Sequence, residues 1–223
     1  MPIRLDQRLA AIANLVDYGK VADVGCDHGK LGYYLVSTDR ASEVIATDVS
    51  APSLAKAEEL AKENGVQEVM KTRLGNGLEP VDDREVDTVI IAGLGGDVIS
   101  DIVLRAHAQG KRFSHFILSP NTHPEKVRAA LSECGHTIVF DRMLECAGKT
   151  YTILKTDEGK SVLTQEQILY GVFFKTSDNF AYFANKEIAS LKNILASNPK
   201  AVELNDKIAK LEQALSAQQK DNH

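Results

Sequence analysis

The chain has 223 residues, 43% of them hydrophobic and 26% charged, with a formal net charge of −5. That composition supports one sizeable globular domain with a small appendage, and the charge excludes nucleic-acid binding by overall electrostatics, leaving a local basic patch as the only route to it. No stretch of about 18 apolar residues is present to span a membrane. The three cysteines, Cys26, Cys134 and Cys146, form no CxxC pair, which argues against a disulfide framework and a metal site and for a reducing, cytoplasmic setting.

In chain order, Leu5, Leu9, Ile12 and Val16 step at helical spacing over Leu5–Asp17. VADVG, from Val21 to Gly25, reads as a buried strand and GKLGYYLVS as the helix after it. EVIATD (Glu43–Asp48) is a second strand. Ser50 then caps a helix with Pro52 in its first turn, running to Asn64 and Gly65. Strands follow at VMKTRLG, DTVIIAG and HFILS, with helices predicted from about Asp97 to Gln109 and over Pro124–Cys134, the latter closed by Gly135. This alternation predicts a parallel sheet with helices on both faces. HTIVFDRMLECAGKTYTILKT breaks it: two β-rich runs joined by ECAGK are too close for a helical crossover and must pair antiparallel. A parallel sheet closed by such a hairpin resembles the Rossmann-like α/β fold of class I S-adenosylmethionine-dependent methyltransferases, and a standard dinucleotide-binding dehydrogenase lacks that ending.

The expected domain boundary lies at 158, with a Rossmann-like domain over 1–158 and a helical domain over 159–223. In the second, Ile188, Leu191 and Leu195, then Leu204, Ile208, Leu211 and Leu215, take a/d steps on either side of Asn198-Pro199. Two long helices folded into an antiparallel coiled-coil hairpin are predicted.

The glycine turn narrows the ligand. A nicotinamide fingerprint needs GxGxxG, but Asp27 stands at its middle glycine, in Gly25-Cys26-Asp27-His28-Gly29. A carboxylate there repels a pyrophosphate and suits a sulfonium and an ammonium, to which Asp23 also contributes. Asp48 ends the second strand about twenty residues beyond the glycines, where an acidic side chain takes ribose hydroxyls; a strand-end helix cap is the other reading. Asn76 and Gly77 close the third strand, either beside an adenine or as a plain Asn-Gly turn. Gly93-Leu94-Gly95-Gly96 follows the fourth strand, and its glycines let backbone approach a cofactor's methyl group. Asn121 ends the fifth strand and offers a donor and an acceptor to a flat base, or else caps the next helix. His28 is a candidate base or a solvent-facing turn residue.

With these residues in view, the sequence resembles the TrmK family of bacterial tRNA adenine-N1 methyltransferases, which act at position 22 of tRNA. VADVGCDHGKLG, ATDVS, RLGNGL, VIIAGLGGDVI, LSPN and ECAGKTYTIL carry the resemblance across most of the first 155 residues. Family members commonly read Ala-Tyr-Leu-Pro where Gly29-Lys30-Leu31-Gly32 stands here, and Gln in place of Ser119. The resemblance implies S-adenosylmethionine as cofactor, tRNA as partner, and cofactor roles for Asp23, Gly25, Asp27, Asp48, Asn76, Gly77 and Leu94, a set that His28 and Gly93 complete.

Methylation of N1 on a neutral adenine uses an in-plane lone pair and needs no prior deprotonation. Alignment then supplies much of the acceleration, and a carboxylate stabilises the cationic product. Asp27 is the candidate for that charge and Asn121 for contact with the base. Arg8, Lys30 and Arg128, with Arg4, Arg112 and Lys126, are candidates for an RNA-binding rim. Lys186, Lys192, Lys200, Lys207 and Lys210 on the tail either assist RNA binding or form a solvated face interleaved with acids. A monomer and a dimer both stay open. So do a methyltransferase acting on another RNA base, a small molecule or a protein, and a non-catalytic assembly module.

Overall fold

The structure is a computed structural model that describes residues 3–177 and 179–221. The chain divides into two compact units, up to Val162 and from Leu163 onward.

The first unit is built on a seven-stranded sheet in the order β3-β2-β1-β4-β5-β7-β6. Its strands are β1 (Lys20–Val24), β2 (Glu43–Asp48), β3 (Met70–Leu74), β4 (Thr88–Ala92), β5 (His115–Ser119), β6 (His136–Cys146) and β7 (Lys149–Glu158). The first five are parallel, and β7 pairs antiparallel with both β5 and β6. The central strands β1, β4 and β5 are mostly apolar and mostly buried because parallel strands are covered on both faces. Ala147 and Gly148 alone join β6 to β7, and both hold positive φ, as a tight hairpin turn requires. One extra residue interrupts the β6–β7 register between Ile138 and Phe140.

Successive strand residues face opposite sides of the sheet. Val21, Ile90 and Ile117 share one core with Ile12, Leu31, Leu35 and Leu54. These last four come from α1 (Gln7–Asn14), α2 (Lys30–Ser37) and α3 (Ala51–Glu63). Val89, Ile91 and Leu118 alternate with them and are fully buried on the other side. The remaining helices of this unit, α4 (Gly96–Ala108) and α5 (Pro124–Glu133), pack on each other. Helix α1 is shorter than the predicted Leu5–Asp17: Asp6 caps it by accepting the Leu9 N–H at 2.7 Å, and it ends at Asn14.

In the second unit, α7 (Phe180–Ser197) and α8 (Glu203–Asp221) form the predicted hairpin around Asn198-Pro199. The short connection between them makes the two helices antiparallel, and ion pairs Lys192–Glu212 (2.9 Å) and Lys207–Glu187 (2.8 Å) tie one helix to the other. Its seam buries Ile188, Leu191, Ile208 and Leu211, then Ala214, while Leu215 is only half-buried. A short helix, α6 (Gln165–Tyr170), capped by Thr164, stands as a separate element before the hairpin. Its Tyr170 ring meets Phe174 and Phe180, and those two rings meet each other at 5.3 Å. Tyr170 and Phe174 keep a helical step of four, but Phe174 and Phe180 stand six apart, so the three rings together give no helical period in sequence.

Candidate active site

Parallel strands leave their carboxyl ends and following loops on one side of the sheet, and ligands of open α/β sheets bind there. An open cleft of about 510 Å³ occupies that side, within the range that holds a nucleotide-sized molecule. Gly25 and Asp27 after β1, Asp48 and Val49 after β2, Asn76 and Gly77 after β3, and Gly93 and Leu94 after β4 all line it. Arg8 of α1 contributes to the same wall.

The first turn is held by its neighbour. The Gly25 and Cys26 N–H groups both donate to the Thr47 carbonyl, at 2.8 and 3.1 Å. Gly25 and Asp27 take positive φ, which glycine adopts freely and aspartate tolerates. Asp48 accepts the Asp27 N–H on Oδ2 at 3.2 Å and the Ser50 N–H on Oδ1 at 2.8 Å. A carboxylate has about four acceptor positions, so Asp48 keeps others for a ligand. Asp27 presents an exposed carboxylate. Gly29 serves packing: a Cβ there would stand 2.6 Å from Met70 Cε and 2.7 Å from Ala57 Cβ.

Asp23 does not line the cleft. It is 5% exposed, and its Oδ2 has no hydrogen-bond partner among the described residues. Burial pushes its carboxyl up to about 7; the Gly32 backbone N–H works against the shift, and the charge of Asp48 adds to it. His28 also lies off the cleft wall, with Nε2 3.1 Å from Lys56 Nζ and 3.3 Å from Asp27 Oδ1. An ammonium only donates, so Nε2 accepts there, which makes His28 part of a surface turn network.

Asn76 Oδ1 accepts from Arg105 at 3.3 Å, leaving its NH₂ group for the cleft. Gly77 lets the loop press on α4, since a Cβ would lie 2.8 Å from Ile102 Cγ1. The GLGG segment corrects an expectation. Gly96 serves packing, not ligand approach: a Cβ there would stand 2.3 Å from the His123 carbonyl oxygen and 2.4 Å from that of Thr122. Gly93 and Leu94 do reach the cleft, and Leu94 caps the Gly25 turn, its Cδ1 3.6 Å from where a Gly25 Cβ would sit.

Asn121 is exposed beside this lip. Its Nδ2 donates to the Gly93 carbonyl at 2.6 Å, and its backbone N–H to the Leu94 carbonyl at 2.8 Å. Arg8 lies over the Tyr151 ring, 5.0 Å from its centroid, and its buried Nη1 has no hydrogen-bond partner among the described residues. It is the basic residue of the predicted rim that enters the cleft. Lys30 is exposed on the first turn of α2 and does not line it.

Arg128 must be removed from the predicted rim. It is 3% exposed and ion-paired with Asp141, through Nε to Oδ2 at 2.7 Å and Nη2 to Oδ1 at 3.0 Å, a bidentate bridge inside the unit. Arg112 precedes β5, at the end of the strands away from the cleft, and its guanidinium donates to the His107 and Lys111 carbonyls. Lys126 is paired with Asp97. Val49 and Val98 are 69% and 50% exposed. They add apolar walls that sequence reading missed, although ATDVS carried the signal of a branched residue next to a strand-end carboxylate.

The strand order, with an antiparallel β7 set between β5 and β6, and a cleft bearing Asp27 and Asp48, define a Rossmann-like methyltransferase domain. A family model described as a methyltransferase domain matches residues 5–154. The tRNA (adenine(22)-N(1))-methyltransferase of Bacillus subtilis is 30% identical over 158 residues, which cover 70% of this chain and 66% of that enzyme, just under two thirds. A Streptococcus pneumoniae structure in complex with S-adenosyl-L-methionine superposes with a TM-score of 0.85 at 30% identity, over 95% of this chain and 100% of that one. M. capricolum TrmK in complex with S-adenosyl-homocysteine gives 0.83 at 26% identity, over 96% and 98%. The chain belongs to the TrmK family of this methyltransferase class.

Proposed function

We propose that this protein methylates N1 of adenine 22 in tRNA, using S-adenosylmethionine, in the cytoplasm. The observation that carries the cofactor reading is the charge of the cleft. Asp27 stands on the turn where a dinucleotide enzyme keeps its phosphate cradle, and Asp48 closes β2, where an acidic side chain takes ribose hydroxyls. Together they fit a ligand with a sulfonium, an ammonium and a ribose, and Asp27 opposes a pyrophosphate. When bound, the cofactor supplies an electrophilic methyl group.

This chain's residues bind and orient. Asp48, fixed by two backbone N–H groups, holds ribose hydroxyls with its remaining lone pairs. Val49, Val98 and Ile102 offer apolar surface to an adenine, with the Asn76 amide at its edge. Asp27 stabilises the positive charge that passes to the methylated base. Arg8 brings a donor without an internal partner to an anionic group, a carboxylate or an RNA phosphate. None of these roles requires a general base, because N1 of neutral adenine already presents a lone pair.

The tail lysines Lys192, Lys207 and Lys210 are paired with Glu212, Glu187 and Asp206, a solvated face interleaved with acids. An RNA backbone docking on the tail would compete with those pairs and lose affinity as salt rises.

Methyl transfer from tritiated cofactor to bulk tRNA, followed by nucleoside mass spectrometry, tests the proposal. It predicts 1-methyladenosine in a tRNA carrying adenine 22 and none when that position is guanine. Methylation independent of position 22 overturns the assignment.

A further inference from the structure

We infer that Asn121 reads the exocyclic amino group of the target adenine and thereby sets base specificity, an inference that rests on the tRNA-adenine reading above. An asparagine's O and N are told apart by their partners. Here the partner decides. The Gly93 carbonyl can only accept, so Nδ2 must face it, and it does at 2.6 Å. Oδ1 is therefore turned away from Gly93, and no donor among the described residues meets it. An exposed asparagine is left with one committed donor and one uncommitted acceptor.

Its place makes that acceptor useful. Gly93 and Leu94 form the lip of the cleft, and Asn121 holds both, through its side chain and its own N–H. The Gly93 N–H in turn donates to the Ser119 carbonyl at 3.1 Å. Gly93 is thus clamped on both its polar groups by the exit of β5, and the Asn121 amide plane is clamped with it. A base delivering N1 into the cleft must pass this lip with its Watson–Crick edge leading. On adenine, N6 lies next to N1 on that edge and donates hydrogen. A fixed acceptor at the lip pairs with it. On guanine the neighbouring group is the O6 acceptor, which opposes Oδ1, and N1 carries a proton.

The test compares two tRNA transcripts identical except that position 22 is adenine or purine, the latter lacking the amino group. For the wild-type protein, kcat/KM for adenine should exceed that for purine by about tenfold beyond the difference Asn121→Ala retains, the size of one hydrogen bond that discriminates. The ratio of ratios cancels the intrinsic difference in N1 reactivity and any general slackening of the Gly93 loop. Wild-type activity on adenine with the same adenine-to-purine ratio in Asn121→Ala overturns this inference and leaves the methyltransferase reading standing. A wild-type protein inert on both transcripts, while a known tRNA methyltransferase modifies the adenine one, overturns that reading and this inference together. Should Asn121→Ala not fold, Asn121→Ser keeps a small polar group at the lip, and the same ratio decides.

Discussion

One carboxylate joins the first two turns of the cleft: Asp48 accepts the Asp27 N–H at 3.2 Å and the Ser50 N–H at 2.8 Å. Asp48→Asn keeps one acceptor but turns an NH₂ group toward a backbone N–H. The expected result is at least a tenfold weaker Kd for S-adenosylmethionine by calorimetry, with a stability loss of about 1–2 kcal/mol. An unchanged Kd would remove Asp48 from the cofactor site.

Arg128 and Asp141 form a buried bridge. Removing Arg128 takes the bidentate partner from a buried carboxylate, so Arg128→Met should cost about 3–5 kcal/mol in urea unfolding. The double replacement Arg128→Met/Asp141→Leu should recover most of it, because the pair's desolvation penalty disappears with its attraction. A single variant of normal stability with a raised KM for tRNA would return Arg128 to the RNA-binding rim.

Asp23 makes a pH prediction whose sign is set by the direction of its shift. Its carboxyl stands at about 7 in the folded protein, against 3.8 as its ordinary value. Between those values the folded state keeps a proton that the unfolded chain has released. Stability therefore falls as pH rises through this window and is level above it. The full swing is on the order of 4 kcal/mol from this group alone. Asp23→Asn should flatten the profile of Tm between pH 4.5 and 7.5, and a slope that survives the substitution rejects the assignment.

Gly96→Ala places a methyl group against the Thr122 and His123 carbonyls. Backbone cannot yield as a side-chain tip does, so a loss of about 1–3 kcal/mol in denaturant unfolding is expected. Gly110→Ala, at a position with open space around it but positive φ, should cost about 1 kcal/mol through strain alone. Equal costs would show that crowding at Gly96 is relieved by a small shift of the β5 exit.

These residues also show what a linear reading can and cannot reach. The alternation of VADVG, EVIATD and DTVIIAG with helical spacing made the sheet legible, and an acidic residue closing the second strand about twenty residues beyond a glycine loop made Asp48 legible. Both signals are read along consecutive elements of the chain. Arg128 was misplaced because its partner is thirteen residues away on a different element, and a charge on an amphipathic helix looks alike whether it meets water or a buried aspartate. Gly96 of GLGG was misread for a similar reason: the atoms it must avoid belong to residues 122 and 123. Asn121 was legible as a rim residue, but its tie to Gly93 spans 28 positions and exists only once β4 and β5 are side by side.

The outermost strand of the sheet, β6, carries the added residue between Ile138 and Phe140, and Val139 there is exposed. A bulge twists a rim strand and throws its free N–H and C=O groups out of a straight row. An incoming strand from another molecule would find that row out of phase after a few residues. The irregularity thus acts as a guard against sheet-to-sheet polymerisation on the side of the molecule opposite β3.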